Sequence, residues 1–130
     1  MRKVFITLLF TCFLFNFCIG NGFANGLFSA CGPGFWKNHF DEWSATGYVP
    51  SDDFDVTFGV DIFDPDITLE EALNAKGGGN NKVARHGTAA LLNSVHPDID
   101  YPLSEADVIA GVQAGDVNLL SEYNEADCPL

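Results

Sequence analysis

Positive charge is scarce in this chain. Its 130 residues hold six Lys and Arg against 18 Asp and Glu, a formal net charge of −12. A surface of that sign repels phosphate and anionic lipid and attracts cations, which argues against nucleic acid as a partner. Motifs that carry chemistry are equally scarce. No H-E-x-x-H pair, no G-x-S-x-G elbow and no paired-acid signature is present, so an enzymatic reading finds no support in the sequence. Apolar residues run uninterrupted only near the start.

That start, MRKVFITLLFTCFLFNFCIG, opens on Arg2 and Lys3, stays apolar to Phe15 and then meets the more polar NGFANG. This is the layout of a secretory signal peptide, with an apolar core shorter than the roughly 20 residues of a membrane span. Gly22 and Ala24 occupy the −3 and −1 places of an A-x-A-like cleavage site. Residues 1–24 are therefore read as a leader and 25–130 as one exported domain, secreted to the extracellular or periplasmic side. Cys18 and Cys31 are both poor candidates for lipidation, since neither directly follows the apolar run in the required way.

Removing the leader leaves Lys37, Lys76, Lys82 and Arg85 against all 18 acids. It also leaves two cysteines, Cys31 and Cys128, near the two ends. In an oxidising compartment these most simply pair, closing almost the whole chain and stabilising it by about 4 kcal/mol in the chain-entropy picture. Two free thiols, or a bridge between chains, is the alternative.

The remaining pattern is mainly α, a small single-domain helical bundle. Pro33 suits a first helical turn, and Trp36, Phe40 and Trp43 fall at i, i+4 and i+7, so residues 33–43 are expected to form one helix with an aromatic face. From Tyr48 to Asp66 acids alternate with Phe and Val in partial period two, read here as one long acidic loop because a lone strand has no sheet partner. Thr68 with Glu71 and Ser104 with Asp107 announce two helix starts as capping boxes. GGGNN frees a turn before NKVARHGTAALLNSV, whose apolar circumference marks it as the central helix. HPDIDYPL breaks that helix, and VNLLSEYN forms a last short one before the CPL end.

These stretches carry a resemblance. CGPGFWKNH, the central RHGTAALLN and the terminal CPL look like an exported domain family typified by a C-x-P-G-[YF]-W-K-N-H opening, an R-H-x-x-A-A-L-L-N helix and a C-P-L end. The match runs from Cys31 to Leu130, with three separated motifs in order. The resemblance implies an exported or surface module, a kind of domain often joined to sorting or other extracellular segments and with no established catalytic role. With no sorting helix after CPL, the expectation is free secretion or binding to something already outside.

Three clusters compete as sites, each against a structural alternative. His39 and His86, if the first helix packs on the central one beside Gly87, would converge with an acid from the loop into a mixed N and O set suited to Zn²⁺ or Cu²⁺. Otherwise each imidazole is satisfied by a backbone carbonyl. Asp52, Asp53, Asp55, Asp61, Asp64 and Asp66 have the oxygen density for Ca²⁺ but lack the D-x-D-x-D-G spacing, and a solvated acidic face explains them equally. Lys37, Asn38 and His39, adjacent on a helix, point about 100° apart and cannot meet one substrate atom. Trp36, Phe40 and Trp43 read as core anchors, with Lys37 answering part of the acidic loop's charge and Asn38 bonding a neighbouring loop. The sequence thus favours a secreted, non-catalytic binding or association module of an extracellular surface or matrix, bound to an envelope component or to itself. The rival is a small metal-binding protein using His39 and His86. An enzymatic cleft between the first helix, the Gly-rich turn and the central helix is the third reading.

Overall fold

The computed structural model describes residues 28–130; the leader expected over residues 1–24, with its expected cleavage site, lies outside the described residues. In chain order the helices are α1 (Pro33–Trp36), a 3₁₀ segment (Phe40–Ala45), α2 (Phe54–Phe58), α3 (Leu69–Asn74), α4 (Asn80–Val95), α5 (Glu105–Gln113), α6 (Val117–Glu122) and a closing 3₁₀ turn (Tyr123–Glu125). Among the described residues the β pairing is limited to one isolated antiparallel bridge, Asp53 with Thr68. No helix there is long and apolar enough to cross a membrane.

The central position of α4 follows from its sequence. Val83, Ala84 and every residue from Gly87 to Asn93 are buried, so the helix has a wet surface only near its ends. α3, α5 and α6 pack around it, and α1 closes the remaining side. Gly87 permits the approach of α5: a Cβ there would lie 2.5 Å from Val112 Cγ2, well inside contact distance. The close approach expected at Gly87 is thus made by a neighbouring helix. Both capping boxes form, Thr68 with Glu71 opening α3 and Ser104 with Asp107 opening α5. Cys31 and Cys128 form a disulfide across a sequence separation of 97, tying the two ends of the domain.

Two segments differ from the sequence expectation. The single helix over residues 33–43 is broken after Trp36. Asn38 Nδ2 donates to Gly34 O at 2.8 Å and His39 Nδ1 donates to Phe35 O at 2.8 Å, so side chains take carbonyls that a continuing helix would need. His39 then leaves helical geometry (φ −132°, ψ 62°) and the chain resumes as a 3₁₀ turn. The break rotates Phe40 outward to 42% exposure, while Trp36 and Trp43 stay buried. Phe40 is therefore not one of the anchors.

The second difference lies in the acidic segment, which contains α2. Asp53 caps it, its Oδ1 accepting from Val56 N–H at 2.8 Å, and Phe54 and Phe58 bury one face with ring centroids 4.6 Å apart. Gly59 in the left-handed region (φ 65°) stops it after little more than one turn. The apparent period of two concealed the i, i+4 pair, and Val56, between those rings in sequence, is 81% exposed. A loop remains from Val60 to Ile67.

Candidate functional site

The opening motif, the central helix and the chain end meet at one buried side chain, Asn93. Its Oδ1 accepts from Cys31 N–H (2.9 Å) and from Trp36 Nε1–H (3.1 Å). Its Nδ2 donates to Cys31 O (2.9 Å) and to Asn124 Oδ1 (3.0 Å). Both lone pairs and both protons of the amide are used, as a fully buried Asn requires. Asn124 extends the frame: its Oδ1 also accepts from Tyr101 Oη–H (3.0 Å), and its Nδ2 donates to His86 O (3.0 Å). Trp43 Nε1–H closes the set on Trp36 O at 3.1 Å. The three motifs are therefore parts of one structural joint beside the Cys31–Cys128 bridge.

The histidines are not assembled into a ligand set. His39 is exposed, stacked on the Phe35 ring at 4.0 Å between centroids. His86 is half-buried on α4, its Nδ1 buried without a hydrogen-bond partner, and burial first, then the Arg85 and Lys82 charges, pull its pKa below the usual value. Among the described residues no group of three or more His, Cys, Asp and Glu is placed to hold a metal ion. The expected convergence of His39 and His86 with an acid is accordingly not formed. His96, which the sequence reading passed over, is the buried one. Asp98 N–H donates to its Nδ1, so Nε2 carries the proton and lies 3.4 Å from Glu42 Oε2, with the Trp36 ring 5.9 Å from the imidazole.

The acids divide into two kinds. Asp52, Asp53 and Asp55 hold backbone: Asp52 Oδ2 accepts from Val49 N–H, and buried Asp55 accepts from Ile62 and Phe63 N–H at 3.0 Å each, stapling the loop to α2. Asp61, Asp64 and Asp66 are exposed and take no such role. The Asp53–Thr68 bridge and the Phe54 N–H to Ile67 O bond (2.9 Å) lay this loop beside α2. Its carboxylates consequently repel one another: the Asp66 pKa is raised by Asp53 first, with Asp55, Asp61 and Asp64 adding to it. Farther along, Tyr48 hydrogen-bonds Glu105, and burial together with that carboxylate pushes its hydroxyl up to about 12.

The cations gather elsewhere. A hollow of about 270 Å³ opens where the first helix, the Gly-rich turn and the central helix meet, the place expected from sequence for a cleft. Lys37, Lys76 and Arg85 line it, with Asn74 and Gly77. Arg85 is fixed in position because its Nη1 donates to Ala75 O at 2.6 Å, capping the C-terminal end of α3. Among the described residues none of Lys37, Lys76, Lys82 and Arg85 has a carboxylate within ion-pair distance, although the chain holds 18 acids. Lys37 does not answer the acidic loop, and Asn38 bonds its own turn, contrary to the sequence expectation for both.

Sequence reasoning missed Asn93 and Asn124, and it expected a cleft where the hollow lies but not the cations that line it. A signal for Asn93 existed: it is a polar residue inside the apolar run AALLNSV. The gathering of cations there had none, since Lys37, Lys76 and Arg85 are far apart in sequence. No family model, no curated protein and no solved structure matches this chain.

Proposed function

We propose that the protein is an exported, non-catalytic association module of an extracellular surface or matrix. The single observation that carries this reading is the contrast between its two polar systems. In the Asn93 joint, the polar groups of Cys31, Trp36 and Asn124 are occupied by one another, which suits a scaffold and leaves no reactive group presented. On the surface, unpaired cations and mutually repelling acids sit on separate regions, and uncompensated charge is available to a partner. The hollow offers Lys and Arg cations and an amide but no Ser, Cys, His or carboxylate side chain in its lining. The disulfide accords with an oxidising compartment, and the leader reading supplies the route there.

Mass spectrometry of the protein recovered from its own export route tests the location. The expected species begins near Asn25 and lies two hydrogens below its reduced mass; a full-length, reduced chain retained in the cytoplasm overturns export. Crosslinking and pull-down from the same fraction test association. Complexes that survive EDTA are expected, whereas complexes lost with EDTA overturn the metal-independent reading.

A further inference from the structure

We propose that this protein associates head to tail with copies of itself, the cationic hollow at the C-terminal end of α3 receiving the exposed acids Asp61, Asp64 and Asp66 of a second copy. The inference rests on the reading as an association module and names the partner within it. α3 separates the two surfaces. The acidic loop enters its N-terminal end through Ile67 and Thr68, and the hollow lies at its other end, around Ala75 to Gly77. Six residues of helix set these ends about 9 Å apart. The helix dipole favours this arrangement, with Glu70 and Glu71 in the first turn and Arg85 at the last carbonyls.

Each surface lacks inside the chain what the other supplies. Among the described residues the three cations of the hollow have no carboxylate partner, and the loop acids lie among other carboxylates, so that Asp53 first, with Asp55, Asp61 and Asp64, makes Asp66 hold its proton more tightly than an isolated Asp. A free inorganic anion would answer the hollow alone and leave the loop uncompensated. A second copy answers both with one contact. Because the two surfaces differ, a single hollow-to-loop contact leaves a loop free on one copy and a hollow free on the other, and its repetition extends a row or closes a ring.

The acid excess, 18 carboxylates against the four cations left once the leader is removed, opposes the contact at long range. Screening length decides between the two effects. It is about 30 Å at 0.01 M salt, so whole-molecule repulsion dominates; about 8 Å at 0.15 M, where repulsion is damped and close pairs persist; and about 3 Å at 1 M, where the pairs weaken as well. Association is therefore strongest at intermediate salt.

Sedimentation of the disulfide-bonded domain across concentration and salt reads this directly. Wild type is expected to form concentration-dependent species larger than a dimer near 0.15 M salt and fewer at either extreme. Lys37→Ser/Lys76→Ser removes charge from the hollow, and Asp64→Asn/Asp66→Asn removes it from the loop. All four sites are exposed, and unchanged melting temperatures confirm that both variants fold. Each alone is expected to associate about tenfold more weakly or worse. Mixed, they form a one-to-one pair that stops at two, because one retains the loop and the other the hollow. A wild-type monomer at about 1 mM, where even a weak specific contact is half-formed, overturns the proposal. So do variants that associate like wild type, a mixture that yields no pair, or phosphate binding in the hollow without assembly. A monomer that still captures envelope material overturns self-pairing while leaving the association-module reading standing; a monomer that captures nothing overturns both.

Discussion

Replacing Asn93 with Ala removes the joint between the chain's two ends and its central helix without touching the disulfide. Four hydrogen bonds disappear, and three buried groups lose a partner outright or in part: Cys31 N–H, Cys31 O and Trp36 Nε1–H. Asn124 Oδ1 keeps the Tyr101 hydroxyl, so it contributes less. An orphaned buried group costs about 1–3 kcal/mol, so three of them, discounted for local relaxation, place the loss at about 4 kcal/mol. A domain of this size has about 5–15 kcal/mol in total, so the variant is left marginal. Urea denaturation at pH 7 with the bridge intact measures the loss as a shift in midpoint. Asn38→Ala is the control, since Asn38 is exposed and bonds only Gly34 O; its expected cost is below about 1 kcal/mol. If Asn93→Ala costs no more than Asn38→Ala, the claim that the joint organises the domain is wrong.

Gly87→Ala should cost about 1–3 kcal/mol, because the new methyl meets the stiff Val112 side chain; Gly87→Ala/Val112→Ala should recover part of it, and a single mutant as stable as wild type would show that α4 and α5 are not so close. Trp36→Ala should lower stability by about 3–5 kcal/mol, whereas Phe40→Ala, at a position 42% exposed, should lie within about 1 kcal/mol; equal losses would restore the continuous aromatic face. His86 contributes a pH dependence of definite sign. Its folded pKa is lowered, chiefly by burial, so above the ordinary value of 6.5 it is neutral in both states and adds nothing. Below 6.5 the unfolded chain takes up a proton that the folded chain resists, and stability falls as pH drops. His86→Gln should flatten that part of the stability profile in denaturant melts taken between pH 7 and 5; an unchanged slope refutes the assignment.

Much of the fold was legible because local rules and tertiary packing agree. Thr68 and Ser104 signal helix starts by chemistry that acts within three residues, and both boxes form. NKVARHGTAALLNSV is apolar nearly all round, which only a central helix can accommodate. Cys31 and Cys128, near the two ends of the described domain, have one simple pairing, and it is made. The failures share another cause, competition that periodicity does not register. Asn38 and His39 sit at helix-compatible spacing but divert carbonyls with their side chains. Phe54 and Phe58 form a helical pair inside a stretch whose Val and Ile residues mimic a strand. The cationic lining of the hollow and the Asn93 joint bring together residues such as Lys37 and Arg85, or Cys31 and Asn93, separated by dozens of positions.

The same comparison locates function more sharply than the opening motif does by itself. CGPGFWKNH attracts attention because it concentrates polar and aromatic side chains, yet most of its polar groups are already satisfied within the domain. Cys31 and Trp36 face Asn93, Asn38 faces Gly34, and His39 faces Phe35. Lys37 is the exception. It leaves the motif to line the hollow with Lys76 and Arg85, where among the described residues no carboxylate lies within ion-pair distance of it. A residue that packing fully employs needs no partner outside to explain it, whereas charges left unpaired in a chain with 18 acids require that acids be held away from them. Here α3 and the Asp55-stapled loop do so, directing the exposed acids to the far end of the same helix. The fold therefore spends its aromatic and amide groups on rigidity and presents its charge in separated blocks, which leaves the cations of the hollow uncompensated within the described domain.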